Sequence, residues 1–212
     1  ISENAKNQET ESAPRIAYFV LEKEYFSLTF QVSNFNALHG GLENPMRIGI
    51  AKIIALQFQQ FMMSIGLMCG AVLGVGLFTL MFSVFQRSIG RSSVRVFVFG
   101  LFIIFLALHN LFSAPYAYTA FMNISWLWGA RLESLFTYLT IGFFLSYMYL
   151  LNWRYLHPVV YVLAMFLLLV NILVTVFTLP EVFQPLAFYS SVLSLVVVSN
   201  FAYGFYSKLT IF

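Results

Sequence analysis

The side chains able to do chemistry in this 212-residue chain are few and scattered. His39, His109 and His157 fall in three different segments, and no two share the i, i+3 or i, i+4 spacing that puts two imidazoles on one metal ion. Cys69 is the single thiol and lies inside an apolar run, so it reads as a small packing residue, with no disulfide or thiolate site on offer. Phosphate-cradling glycine loops and nucleophile elbows are absent. No catalytic residue, metal site or cofactor is predicted, and the chain is not expected to be an enzyme. What remains is a set of polar groups at the edges of apolar stretches. His109, Arg131 and Glu133 fall near one end of the predicted spans and could meet as an outer polar cluster, for which a structural role is the simpler reading. An ion or solute path normally needs ionisable groups deep in the bilayer, where their burial is costly. Asp is missing altogether, and neither Glu133 nor Glu181 lies deep, which weakens a transporter reading and leaves Asn171 as the amide to test for one.

The elements that would position these groups follow from composition. The chain is 60% hydrophobic, 19% aromatic and 9% charged, with a mean hydropathy of +0.84, too apolar for a water-soluble globule. Five apolar runs are long enough to cross a membrane as helices, at about 61–85, 96–114, 134–151, 159–179 and 186–206. They lack the alternation of a transmembrane barrel, and short connections make neighbours antiparallel. The fold class expected is thus a membrane all-α bundle of about five helices. Arg87, Arg91 and Arg95 after the first run, Arg154 after the third and Lys208 after the fifth place those loops and the C-terminus in the cytoplasm, and the N-terminus outside. Tyr116, Tyr118, Trp126 and Trp128 would then form an aromatic belt at the outer surface. The N-I-S triplet at 123–125 matches a glycosylation sequon and reads as accidental. Ile1 in place of Met, and an ending just past a span, lead to the expectation that more chain belongs on either side.

Residues 1–49 are different in kind. The first thirteen are polar and acidic, and beyond Pro14 the chain becomes rich in aromatic and branched residues. Phe26, Leu28, Phe30 and Val32 alternate with Ser27, Thr29 and Gln31, the period of a half-buried strand, and Gly40 and Gly41 supply turn chemistry. Two strands alone are marginal, so the bundle is expected to be preceded by the last strands of an extracellular β-sheet domain. From Ile50 the period becomes helical. Residues 50–60 are expected to form a connector, either running into the first span as one stiff lever or merely entering at the interface. Gly66, Gly70 and Gly74 then place three small residues on one helical face, where a neighbouring backbone can approach, from the same chain or from another subunit. Ile53, Ile54 and these glycines are the residues expected to carry helix packing and transmission.

The run "QVSNFNALHGGL", the turn to "IG", a glycine-rich first span, a basic loop and "RLESLFTYLTIGFFLSYMYLL" resemble the bacterial seven-transmembrane receptors with diverse intracellular signalling modules. The resemblance implies that 1–49 is the end of a periplasmic β-sandwich sensory domain of jelly-roll type, binding carbohydrates or similar small ligands. It also implies that Leu132-Glu133 occupies an acidic position common in the family. Two departures stand out: the family has seven spans followed by a cytoplasmic output module, whereas five spans are present here, and most of the sensory domain is missing as well. The leading expectation is a receptor of the bacterial inner membrane, in contact with lipids and working as a homo-oligomer or in a larger complex, with a small periplasmic ligand and no nucleic acid. A structural subunit of a membrane assembly is the alternative, and a small-solute transporter a weaker third reading.

Overall fold

The computed structural model describes residues 48–86, 91–151 and 157–209, with the side chains of 91, 92, 203–205 and 207–209 left aside. The strands expected within 1–49 lie outside the described residues, as do Arg87 and Arg154. Among the described residues the fold is helical throughout: α1 (Ala51–Phe85), α2 (Arg91–Phe112), a short 3-10 turn (Ala117–Ala120), α3 (Trp126–Leu151), α4 (Pro158–Phe177) and α5 (Pro180–Leu209). All five long helices are long and apolar enough to cross a membrane, which makes this a multi-pass membrane architecture.

Several helix starts differ from the sequence expectation. The first is α2, which begins at Arg91, five residues before the expected 96, so that Arg91 and Arg95 lie in the helix and not in the loop ahead of it. Helix α3 begins eight residues before the expected Ser134, so Arg131 and Glu133 sit within its second turn and not ahead of it. Its start is set by Ser125, whose carbonyl takes the Gly129 N–H at 3.0 Å. Helix α5 begins at Pro180 and carries Pro185 inside it, with Glu181 in the first turn. A proline at the first helical position costs no hydrogen bond, and an acid there suits the helix dipole. Pro180 and Glu181 are thus helix-start signals, and the helix takes in the residues ahead of the expected 186. Helix α4 opens in the same way, with His157 as N-cap, Pro158 first, and the His157 Nδ1 accepting from Val159 N at 3.3 Å.

Neighbours in sequence are neighbours in space, and α3 is central, touching α2, α4 and α5. Among the described elements, helix α1 sits at the edge, against α2 and the 3-10 turn. Its four buried residues are Met62, Cys69, Gly76 and Ser83, one every seven positions. Tyr138 and Leu145, Leu168 and Thr175, and Ser190 and Val197 repeat that spacing on α3, α4 and α5. A seven-residue repeat is the signature of helices crossing at a shallow angle, the common geometry of membrane bundles. Between α2 and α3 the seam is aromatic: Phe105 stacks on Phe143 at 5.3 Å, Phe102 meets Phe144 at 5.4 Å and Phe99 meets Tyr147 at 4.9 Å.

Candidate functional site

Helix α1 has 35 residues, about 52 Å at 1.5 Å per residue, against a hydrocarbon core of about 30 Å. It runs unbroken from Ala51, with the Ile53 and Ile54 N–H groups taken up by the Ile50 carbonyl at 2.9 and 3.0 Å. Its register on α2 fixes how far it projects. A Cβ on Gly76 would lie 2.7 Å from Ile104 Cγ1, and one on Gly100 would lie 2.9 Å from Leu80 Cδ2. These pairings bring the end of α2, at Phe112, level with the stretch just past Gly66. Phe121, after the 3-10 turn, covers Gly66 itself, 2.9 Å from where its Cβ would be. The residues of α1 before Gly66 therefore run about 22 Å past the end of α2. Helix α3 runs past it too: Phe136 meets Phe112, and Trp126 lies about 15 Å further out. With Met62 still buried, only the first two turns or so of α1, about 10 Å, stand clear of both neighbours. Gly66 to Phe85 spans about 29 Å, the thickness of the hydrocarbon.

Of the glycines expected to hold helices together, Gly66 alone meets another part of the chain among the described residues. A Cβ on Gly70 or Gly74 would find nothing within 4 Å, so neither glycine contacts another described helix. The contact within the chain is made by Gly76 and Gly100, whose side-chain hydrogens let α1 and α2 approach to backbone distance. Ser93 Oγ adds a 2.6 Å hydrogen bond to the Ser83 carbonyl near the α1–α2 connection. Regular spacing alone does not reveal which glycines meet a neighbour; the seven-residue repeat of small residues through Cys69, Gly76 and Ser83 is the signal that does. Ile53 is 52% exposed, and Ile54 is half-buried with its Cδ1 lying beside Gly49.

The expected trio of His109, Arg131 and Glu133 divides between two seams. His109 Nδ1 lies 3.1 Å from Thr137 Oγ1, and the Thr137 hydroxyl donates to the Glu133 carbonyl at 2.8 Å. A hydroxyl has one hydrogen, so Thr137 accepts from His109, which places the ring hydrogen on Nδ1. This joins α2 to α3. Arg131, two residues before Glu133 and so on another face of α3, donates from Nη2 to the Thr178 carbonyl at 3.2 Å, just past the end of α4. A cation there offsets the negative end of the α4 dipole and satisfies a carbonyl the helix leaves open. The guanidinium also lies 5.3 Å over the Trp128 ring, while its buried Nε meets no acceptor.

Tyr118 is a correction to the expected aromatic belt. It is buried, stacks on Phe112 at 4.6 Å and presses its hydroxyl against Gly129, where a Cβ would overlap it. Burial, with the Glu133 carboxylate nearby as a second cause, pushes its phenol above the ordinary value of 10.0. Trp128 does face outward. Tyr116 adopts φ 60°, a left-handed conformation unusual for an aromatic residue, in turning the chain from α2 into the 3-10 turn.

Deeper in the bundle, Asn171 donates to Ser190 Oγ at 2.6 Å and Ser190 passes its hydrogen to the Leu186 carbonyl at 2.8 Å, tying α4 to α5. Thr175 donates to the Asn171 carbonyl at 2.9 Å. The buried Tyr138 hydroxyl lies against Thr175 without reaching hydrogen-bond geometry. The adjoining crevice, bordered by Ile141, Leu145, Leu168 and Val197, has no room for a water molecule. Asn171 is thus spent on helix packing. Among the described residues no three His, Cys, Asp or Glu side chains gather as metal ligands.

No family model matches the chain, and no curated protein or solved structure matches it.

Proposed function

We propose that this chain is the membrane part of a bacterial inner-membrane receptor that senses a small periplasmic ligand, such as a carbohydrate, and relays it to a cytoplasmic signalling module. The observation that carries this reading is α1: one unbroken helix of 35 residues that runs about two turns past the start of α3 and then lies at backbone distance from α2 at Gly76. A rigid helix held at one edge turns a displacement at its projecting end into a tilt against its single helical neighbour. The N-terminus is periplasmic in this reading, by the distribution of Lys and Arg, and residues 1–49 contribute the end of a sensory β-sandwich. Ligand control requires that the ligand bind unequally to two arrangements of the bundle; affinity alone shifts nothing.

The test uses the full-length protein in its own membrane. Candidate sugars are screened for a change in the distance between spin labels on Gln59 and on the far end of α3, with and without Gly76→Leu. The receptor reading expects a ligand-dependent distance change that Gly76→Leu abolishes. Copurification with stoichiometric foreign subunits, and no response to any ligand, would overturn it. That result would favour a second reading, a structural subunit of a membrane assembly, which one observation supports: Gly70 and Gly74 lie open on α1 where another chain's backbone could approach.

A further inference from the structure

Met62, Cys69, Gly76 and Ser83 turn one side of α1 toward α2, and a second stripe repeats with the same period about 130° away. It holds Met63, Leu67, Gly70, Gly74, Leu77 and Met81, in alternating steps of four and three residues, and all six are exposed. Apolar character on this side carries no information, since lipid asks for it. The exposed stripe of α4 shows what lipid alone accepts: Val159, Val162, Phe166, Leu169, Leu173 and Val176 are bulky throughout. The α1 stripe differs in kind. At its centre stand two glycines, a residue that weakens a helix relative to alanine, and neither meets another described helix in exchange. Gln60, one step before Met63, lies on the same stripe, exposed and without a side-chain hydrogen bond among the described residues.

We propose that this stripe is the interface between two copies of the chain, packed side by side about a two-fold axis along the membrane normal. Two observations select a second copy as the occupant. The first is the lone amide. Copies in one membrane share an orientation, so a two-fold sets each residue of the stripe against itself, glycine on glycine and Gln60 on Gln60. A Gln side chain both donates and accepts, so two facing amides satisfy each other, whereas an apolar partner helix would leave the amide unpaired. The second is extent. The same spacing runs back from Gln60 through Leu56 and Ile53, which are 51% and 52% exposed. Side chains this open along nine positions can supply the roughly 800 Å² that one partner brings to a stable interface. Within lipid the attraction comes from backbone approach at Gly70 and Gly74 and from the amide pair, since burial of apolar surface there gains nothing over lipid. The pairing holds under either functional reading and requires neither a ligand nor a signalling output.

Disulfide cross-linking of the full-length protein in native membranes, with Cys69→Ala removing the buried thiol, tests it. Leu67→Cys, Gly70→Cys and Gly74→Cys lie on the stripe, while Met68→Cys and Val75→Cys, at positions 56% exposed, lie on its flank. Under oxidation the stripe positions should form dimers of the chain about tenfold faster than the flank positions, because a two-stranded seam brings only its own residues within disulfide reach. In a second measurement, coexpressed copies with different tags should be recovered together. Gly70→Phe combined with Gly74→Phe should cut that recovery severalfold without touching the α1–α2 seam, which neither position meets. Equal rates on stripe and flank, no dimer at any position, or tagged copies recovered apart would overturn the proposal. Conjugates to a foreign protein at the stripe positions would overturn it too, in favour of the structural-subunit reading. Since no ligand enters these measurements, their failure leaves the receptor reading to its own test.

Discussion

Adding a single methyl group at four glycines of α1 separates the contacts this helix makes from those its spacing suggests. In Gly76→Ala the new Cβ would stand 2.7 Å from Ile104 Cγ1, 3.2 Å from Ile103 Cγ2 and 3.2 Å from the Ile104 backbone nitrogen. The last of these cannot rotate away, so α1 and α2 must part along a seam whose next contacts are Leu80 on Gly100 and Ser93 on the Ser83 carbonyl. Overpacking of this kind costs about 1–3 kcal/mol. In Gly70→Ala and Gly74→Ala the methyl meets nothing within 4 Å, and the gain in helix propensity is worth up to about 1 kcal/mol. Gly66→Ala meets only the tip of the exposed Phe121 ring, which can swing aside. Thermal unfolding in detergent should place Gly76→Ala roughly 2–10 °C below wild type, with the other three at or slightly above it. A loss at Gly70 or Gly74 equal to that at Gly76 would refute the α1–α2 register and the projection calculated from it.

Other substitutions probe the remaining seams. Gly129→Ala drives a methyl into the Tyr118 hydroxyl and should cost about 1–3 kcal/mol in the same assay. Tyr138→Phe removes a buried hydroxyl that makes no hydrogen bond and should leave stability unchanged or raise it by about 1 kcal/mol; a large loss would mean that the hydroxyl is bonded. Thr137→Val, which keeps the shape but removes the His109 partner, should cost about 1 kcal/mol. The Tyr118 phenol, raised above its unfolded value by burial and then by Glu133, contributes stability below about pH 10 that is lost as pH climbs through its higher folded value. Melting temperatures between pH 9 and 11 should therefore fall, and fall less in Tyr118→Phe.

How far the sequence discloses this architecture depends on what each signal measures. The five helices were readable because the length of an apolar run is set by the thickness of hydrocarbon, and all five appear. Their starts were less readable. An apolar run starting at 134 leaves Arg131 and Glu133 ahead of the third span, and one starting at 186 leaves Pro185 ahead of the fifth. Yet a membrane helix begins in the interfacial zone, where charge is tolerated, and Pro180 is an N-terminal signal of its own. The glycine stripe was legible as a pattern and misleading as a contact, because any small residue permits close approach but only register decides which one receives it. The residue type of Tyr118 points to an interfacial belt; the turn at Tyr116 folds it inward onto Phe112 instead. The split of His109 and Arg131 between two seams follows from angular position on α3, which nearness in sequence conceals.

The central claim is that α1 is a single helix of which about two turns stand clear of the bundle. A nitroxide scan from Ala51 to Phe85 in the full-length protein, reading accessibility to a water-soluble relaxant and to oxygen, tests it most directly. The account predicts one uninterrupted 3.6-residue oscillation, with water access highest over residues 51–58, oxygen access high after Gly66, and the lowest values for both at Met62, Cys69, Gly76 and Ser83. A break in phase near residues 60–66, or lipid-like values beginning at Ala51, would contradict it.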